Sequence, residues 1–146
     1  WAQRMIQIQL ALVYWQTFGC KIAGSQWLDG SAVYYATRLD DMFRFPAPLI
    51  ANNMFLLKAL TWFTLIIELA GWTLIWFKDT RYWVLLGLLG LHLGIDYMIN
   101  LPVFEWAFIC TLLTFVPSHD LTNFFSRLST YYKAKLKTKF GANSHK

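Results

Sequence analysis

Charge is scarce in this sequence. Asp, Glu, Lys and Arg together make up 14% of it, where a soluble globular domain carries about 25% and needs them to cover its surface. That shortfall excludes an ordinary water-facing surface. Cysteine is scarce too: Cys20 and Cys110 lie inside apolar segments and in no metal spacing such as CxxC. They are expected to be small buried hydrophobes and not a disulfide. There is no Gly-rich phosphate loop, no GxSxG elbow and no dinucleotide fingerprint, which removes the signatures of the commonest nucleotide-binding and hydrolase sites. No basic-then-apolar leader with a small-residue cleavage site is present. A chain that opens at Trp1 is expected to be processed or to be a piece of something longer. The apolar runs do not alternate with polar residues, which excludes the strands of a membrane barrel.

What is present is apolar and aromatic. Hydrophobic residues make up 57% of the 146, aromatics 18%, and eight are Trp. Trp and Tyr collect where hydrocarbon meets headgroups, because one end of the ring system is apolar and the other hydrogen-bonds. Four apolar runs are legible: roughly 5–22, 49–77, 82–99 and 103–116. Between the first two lies a polar stretch, 23–48, with Asp29, Arg38, Asp40, Asp41 and Arg44. Within it Asp29 is placed to N-cap a short helix through Val33, Tyr34 and Tyr35 lying at the interface, stopped by Pro46 and Pro48. Lys78 to Arg81 read as a tight polar turn, and Leu101-Pro102 and Pro117 end the third and fourth runs. The fold class is therefore an all-α integral membrane protein of about four transmembrane helices plus an interfacial helix. Residues 1–118 form the membrane region and 119–146 a basic amphipathic tail.

In that tail Leu121, Phe124, Phe125, Leu128, Tyr132 and Leu136 recur at helical spacing with Arg127 and lysines between them, as in a helix lying on a bilayer surface. The net charge of +5 is concentrated there, in Lys133, Lys135, Lys137, Lys139 and Lys146. Anionic lipid headgroups are the expected partner; no nucleic-acid fold signature accompanies the charge. The positive-inside tendency puts the tail, Arg4 and the Lys78–Arg81 turn on the cytoplasmic or equivalent side, and the 23–48 loop on the other.

Ionisable groups inside apolar runs are costly in hydrocarbon and therefore informative. Lys21 and Lys58 stand near helix ends, where snorkelling is one explanation. A lysine desolvated enough to act as a neutral amine base is another for Lys21. Glu68 is deeper and needs a partner from another helix, which reads as a structural bundle contact. His92 and Asp96 are four apart, on one helix face, where a carboxylate can orient an imidazole. Two ligands without a third make no zinc site. Glu105 falls in the same non-cytosolic region. Gly87, Gly90 and Gly94 are small-residue steps that let another helix approach.

Several strings carry a resemblance when taken in order. They are Arg4 with Gln7 and Gln9, Leu12-Val13-Tyr14, Gly19-Cys20-Lys21, Trp27-Leu28-Asp29-Gly30, Leu91-His92-Leu93-Gly94-Ile95, and Val103-Phe104-Glu105-Trp106-Ala107. Over roughly residues 3–128 the chain resembles the later half of the horizontally transferred transmembrane (HTTM) domain, whose best-known member is the vitamin K-dependent gamma-glutamyl carboxylase. That resemblance implies a polytopic helical domain with further membrane helices ahead of this stretch. It implies reduced vitamin K or another quinol as the redox partner. In the carboxylase a lysine seven positions after a tyrosine, shortly before Trp-x-x-Gly, begins the chemistry. Tyr14, Lys21, Trp27 and Gly30 fall on that pattern, with a one-residue difference between the lysine and the tryptophan, and His92 falls on a histidine of a later helix. The resemblance thus implies catalytic roles for Lys21, His92 and Tyr14.

Two functions follow. One is an accessory or structural subunit, or a fragment, of a larger membrane assembly, since a half-domain with unsatisfied helix faces needs other membrane subunits or its missing helices. The alternative is a carboxylase-like or quinol-oxidising membrane enzyme with Lys21 as base. A transporter fragment is disfavoured by the lack of an internal repeat. The discriminating feature is whether Lys21, Glu68 and His92 share one interior or point out of it.

Overall fold

The structure, a computed structural model, describes residues 1–39, 53–99 and 101–141, with side chains except at 102, 134 and 136–141. The expectations on Asp40, Asp41, Arg44, Pro46, Pro48, Leu49 and Lys146 lie outside the described residues, as do those on the side chains of Leu136, Lys137 and Lys139. Among the described residues the chain is all-helical and without strands. It divides into two compact units, Trp1–Phe115 and Val116–Lys146.

The first unit contains α1 (Ala2–Ile22), α2 (Ser25–Leu28), α3 (Ala32–Ala36), α4 (Met54–Thr73), α5 (Lys78–Met98) and α6 (Pro102–Leu112). The apolar run of α4 starts at a true cap: the Asn53 side chain accepts from the N–H groups of Phe55 and Leu56 at 3.1 and 3.2 Å, satisfying donors the first turn cannot pair internally. α4 tightens into a 3-10 turn, Leu74–Trp76. Side chains of the next helix bond to carbonyls of this turn. Thr80 Oγ1 donates to Leu74 O at 2.6 Å, and the Arg81 guanidinium donates to Ile75 O and Trp76 O, both at 3.3 Å. Lys78 to Arg81, expected as a tight turn, are instead the first turn of α5. Extended Phe77 alone makes the connection (φ −87°, ψ 138°), and Asp79 in the first turn favours the positive helix end.

Met54–Trp76 is one helix long and apolar enough to cross a membrane, and Val103–Phe115 is a shorter apolar helix. Gln3, Arg4, Gln7 and Gln9 lower the hydropathy of α1, and Lys78, Asp79, Arg81 and Asp96 that of α5. Pro102 opens α6, where its missing N–H costs nothing. α6 ends in a second 3-10 turn, Leu113–Phe115.

α4 contacts α1, α3 and α5, and α6 packs on α5 and α1. The core between them holds Leu10, Ile67, Ile75, Leu88, Leu112 and Phe115. Two glycines set the closest approaches. A Cβ on Gly71 would lie 3.1 Å from Tyr14 Cδ2 and 3.2 Å from Leu88 Cδ1, and one on Gly87 would overlap Ile67. Among the described residues a Cβ on Gly90 or Gly94 would meet nothing within 4 Å, so of the three expected helix–helix steps one is used there. Cys20 and Cys110 are free thiols on outward faces of α1 and α6. The expectation that they are buried is corrected: this chain has more apolar residues than interior positions, and many large ones, Trp83, Phe55 and Val103 among them, are exposed.

Asp29 does not itself cap α3. Ser31 is the N-cap residue, and Asp29 Oδ1 accepts from the Ser31 N–H at 2.8 Å, an Asx-type turn that ends α2 and aims α3. Hydrogen bonds from Ser31, with the Lys58 ammonium adding to them, hold the Asp29 carboxyl below the ordinary carboxylate range. Thr61 Oγ1 of α4 accepts from the Val33 N–H at 3.2 Å and so fixes α3 on α4. Gly30 between them has φ +83°, and a Cβ there would lie 3.0 Å from Lys58 Cγ. Gly30→Ala is therefore expected to cost about 1–2 kcal/mol for the left-handed backbone alone. Gly90→Ala, on an open helical face, should gain up to about 1 kcal/mol. Thermal unfolding of the two variants in detergent checks this, and equal melting temperatures would contradict it.

The second unit contains α7 (Ser118–Gly141). Phe124, Phe125, Tyr131 and Tyr132 are exposed, Leu121 and Leu128 half-buried, and Lys133 and Lys135 exposed.

Candidate functional site

Three residues of α1 at intervals of seven, Gln7, Tyr14 and Lys21, lie on one side of the helix, each about 10 Å of helix from the next. That side faces the bundle: Gln7 and Tyr14 are buried and Lys21 is half-buried. Each meets a polar partner from another element. Gln7 Nε2 donates to Thr114 O at 2.6 Å, and Gln3 Nε2 donates to the same carbonyl at 2.7 Å. The 3-10 end of α6 leaves this carbonyl without a helical donor, and an apolar surrounding makes such a group costly unless paired.

Tyr14 and His92 meet one step further along. The Tyr14 hydroxyl is 2.9 Å from His92 Nε2, and His92 Nδ1 is 2.6 Å from Glu105 Oε2. All three side chains are buried. A carboxylate only accepts, so Nδ1 carries the proton; in the neutral imidazole Nε2 then accepts from the Tyr14 hydroxyl. Phe108 of α6 stacks on the imidazole at 4.9 Å between ring centroids and keeps water off it. The carboxylate expected to orient His92 was Asp96, one turn along the same helix. Glu105 of α6 does so instead, because α6 packs on α5 and brings this first-turn carboxyl to the imidazole. Gly71 lets α1 approach closely enough for the phenol to arrive from the other side.

Lys21, on the last turn of α1, forms an ion pair with Glu68 of α4. Its ammonium also lies 5.0 Å from the centroid of the Trp27 ring, a favourable cation–π placement. The Lys21 side chain keeps 23% of its exposure and that of Glu68 only 6%. Among the described residues the second carboxyl oxygen of Glu68 is buried with no hydrogen-bond partner. A buried acceptor of that kind fits one further donor, such as a hydroxyl group. Lys58 lies on the surface, its stem over Gly30.

The structure therefore brings Tyr14 and His92 into direct contact and turns Lys21 into the same bundle, two helical turns away. It adds Glu68 and Glu105 as their carboxylate partners. The pairings of Glu105 with His92 and of Glu68 with Lys21 were not evident from spacing, since they join different helices. The seven-residue interval of Gln7, Tyr14 and Lys21 was the available signal. Among the described residues no group of three or more His, Cys, Asp and Glu is placed to hold a metal ion. No protein-family model, no curated protein and no solved structure matches the chain.

Proposed function

We propose that this chain is the later part of an HTTM-like membrane domain and supplies the proton-handling site of a quinol-oxidising, carboxylase-like membrane enzyme. One observation carries the reading. The three side chains singled out by the resemblance, Tyr14, Lys21 and His92, all turn into one bundle, and each finds a polar partner there. Side chains meant for a neighbouring subunit would point outward.

In this reading α1, α4, α5 and α6 cross the bilayer, and α2 and α3 lie at its non-cytoplasmic face. The N-terminal end of α5 and α7 are cytoplasmic, with α7 on anionic headgroups. Lys21 becomes an amine base when its proton passes to Glu68. The amine then takes the proton of a quinol hydroxyl, while the free oxygen of Glu68 accepts a hydrogen bond from the bound molecule. The Tyr14–His92–Glu105 chain fixes the geometry beside it. Helices ahead of residue 1 are the expected partners that complete the site.

A second reading, an accessory subunit, is favoured by the outward face of α5, where Gly90 and Gly94 are open between exposed Trp83, Leu86, Leu93 and Tyr97. The test is quinol-dependent carboxylation by the natively purified assembly in liposomes. Lys21→Ala is expected to lower turnover by at least about a hundredfold. Unchanged turnover in that variant, or an intact assembly that consumes no quinol, would leave the subunit reading standing.

A further inference from the structure

The helix pair α1/α4 is not closed along its whole length. Ile8, Ala11 and Leu12 on one wall and Trp72, Trp76 and Phe77 on the other line an apolar groove of about 530 Å3 that opens at the surface. Its upper end is closed by Trp15 on Trp72, 5.5 Å between centroids. The Trp76 ring is fixed along its wall by a 2.9 Å bond from Nε1 to Trp72 O.

What lies at the lower end follows from register. The two helices run antiparallel, with Tyr14 opposite Gly71, Trp15 on Trp72, and Ile8 beside Trp76 and Phe77. One further turn down α1 lies Arg4, and the chain that leaves the other wall at Phe77 continues into Lys78 and Arg81. The Arg81 guanidinium is held by Ile75 O and Trp76 O, and Arg4 by a 3.2 Å bond to Gln7 Oε1. These bonds use one or two of the five N–H donors each guanidinium carries. Lys78 is exposed. Asp79 removes one charge and leaves the mouth of the groove cationic.

An apolar slot with tryptophans along its wall and three cations at its mouth matches one kind of molecule in shape and in charge. We propose that the groove between α1 and α4 holds an acyl chain of an anionic glycerophospholipid, with the phosphate on Arg4, Lys78 and Arg81. The proposal rests on the membrane placement argued above. A second copy of the chain, or a neutral lipid, would satisfy the apolar walls and leave the cations unanswered.

The test is native mass spectrometry of the full chain released from nanodiscs of equal phosphatidylcholine and phosphatidylglycerol. The wild type is expected to keep one phosphatidylglycerol in preference to phosphatidylcholine. Arg4→Gln with Lys78→Gln, which spares the carbonyl bonds of Arg81, should reduce that preference roughly thirtyfold, about one unit of headgroup attraction for each cation removed. Thr73→Trp, at an exposed position in the groove, should expel both lipids without touching the core. Equal retention of both lipids, no retained lipid, or a lipid-free dimer would overturn the proposal. Alkaline carbonate separates the two failures. A chain that resists extraction and keeps no phosphatidylglycerol refutes the lipid site alone; a chain that is extracted refutes the membrane placement and the site with it.

Discussion

Replacing Lys21 by Met is expected to lower the stability of the helical bundle by about 3 kcal/mol, and adding Glu68→Leu in the same chain to restore most of it. The ion pair is asymmetric: 23% of the Lys21 side chain is exposed but only 6% of that of Glu68. Losing the lysine therefore strands a largely buried carboxylate that already has one oxygen without a partner among the described residues. Breaking a buried pair from one side costs about 3–5 kcal/mol, whereas replacing both members with apolar groups is often close to neutral. The lower end of that range applies here, because partial exposure screens the pair and a stranded carboxyl can take up a proton. The converse variant should be milder. With Glu68→Leu alone, the Lys21 stem can straighten and carry its ammonium outward, at a cost of about 1 kcal/mol. Equilibrium unfolding of the three variants in one detergent gives the full cycle. A neutral Lys21→Met, or a double variant no better than the single, would mean that the two groups do not act as a pair.

That asymmetry bears on function as well as stability. Under the proposed base role, Lys21 has a buried carboxylate partner on one side and solvent on the other. Glu68 offers it one oxygen and keeps the other for something else. Besides the carboxylate, the Lys21 ammonium meets the Trp27 ring at 5.0 Å from its centroid.

Much of the first unit was legible because its signals are local. Continuous apolar runs without alternation gave helices, and Leu101-Pro102 and Pro117 marked where two of them end. A helix after Pro117 was likewise readable from its spacing, and α7 begins at Ser118. The misplacements share a cause. Lys78 to Arg81 looked like a turn because they are polar, yet their polarity serves the helix start, where Thr80 and Arg81 reach back to carbonyls of Leu74, Ile75 and Trp76. Asp29 looked like a cap for α3 and acts through Ser31 instead. His92 was assigned the carboxylate nearest in sequence, Asp96, when Glu105 across the α5–α6 connection is the one that reaches its ring. Pairings between helices depend on rotation and register, which are set by small contacts such as Gly71 against Tyr14 and Gly87 against Ile67. No single-chain spacing encodes these.

The Tyr14–His92–Glu105 chain should rank its own variants. His92→Leu removes the middle member and leaves a phenol and a carboxylate both buried without it, so a loss of about 3–4 kcal/mol is expected. Tyr14→Phe removes one neutral hydrogen bond and keeps the ring that packs on Phe108 and Gly71, at about 1–1.5 kcal/mol. Glu105→Gln preserves an oxygen acceptor for Nδ1–H and should fall near Tyr14→Phe. Glu105→Leu strands that donor and frees the imidazole to change tautomer. The tautomer separates this arrangement from simple packing. Nitrogen-15 NMR of His92 is expected to show the proton on Nδ1 in the wild type and in Glu105→Gln, and a shift toward the Nε2–H form in Glu105→Leu, where the Tyr14 oxygen becomes the better acceptor. An Nε2–H imidazole in the wild type would reverse the direction of the chain. A harmless His92→Leu would reduce it to three residues that happen to be adjacent. An imidazole locked by a carboxylate on one nitrogen and aimed at a phenol with the other is a device for holding a proton in a defined place. Tyr14, two turns from Lys21 on the same side of α1, places the two clusters in one bundle.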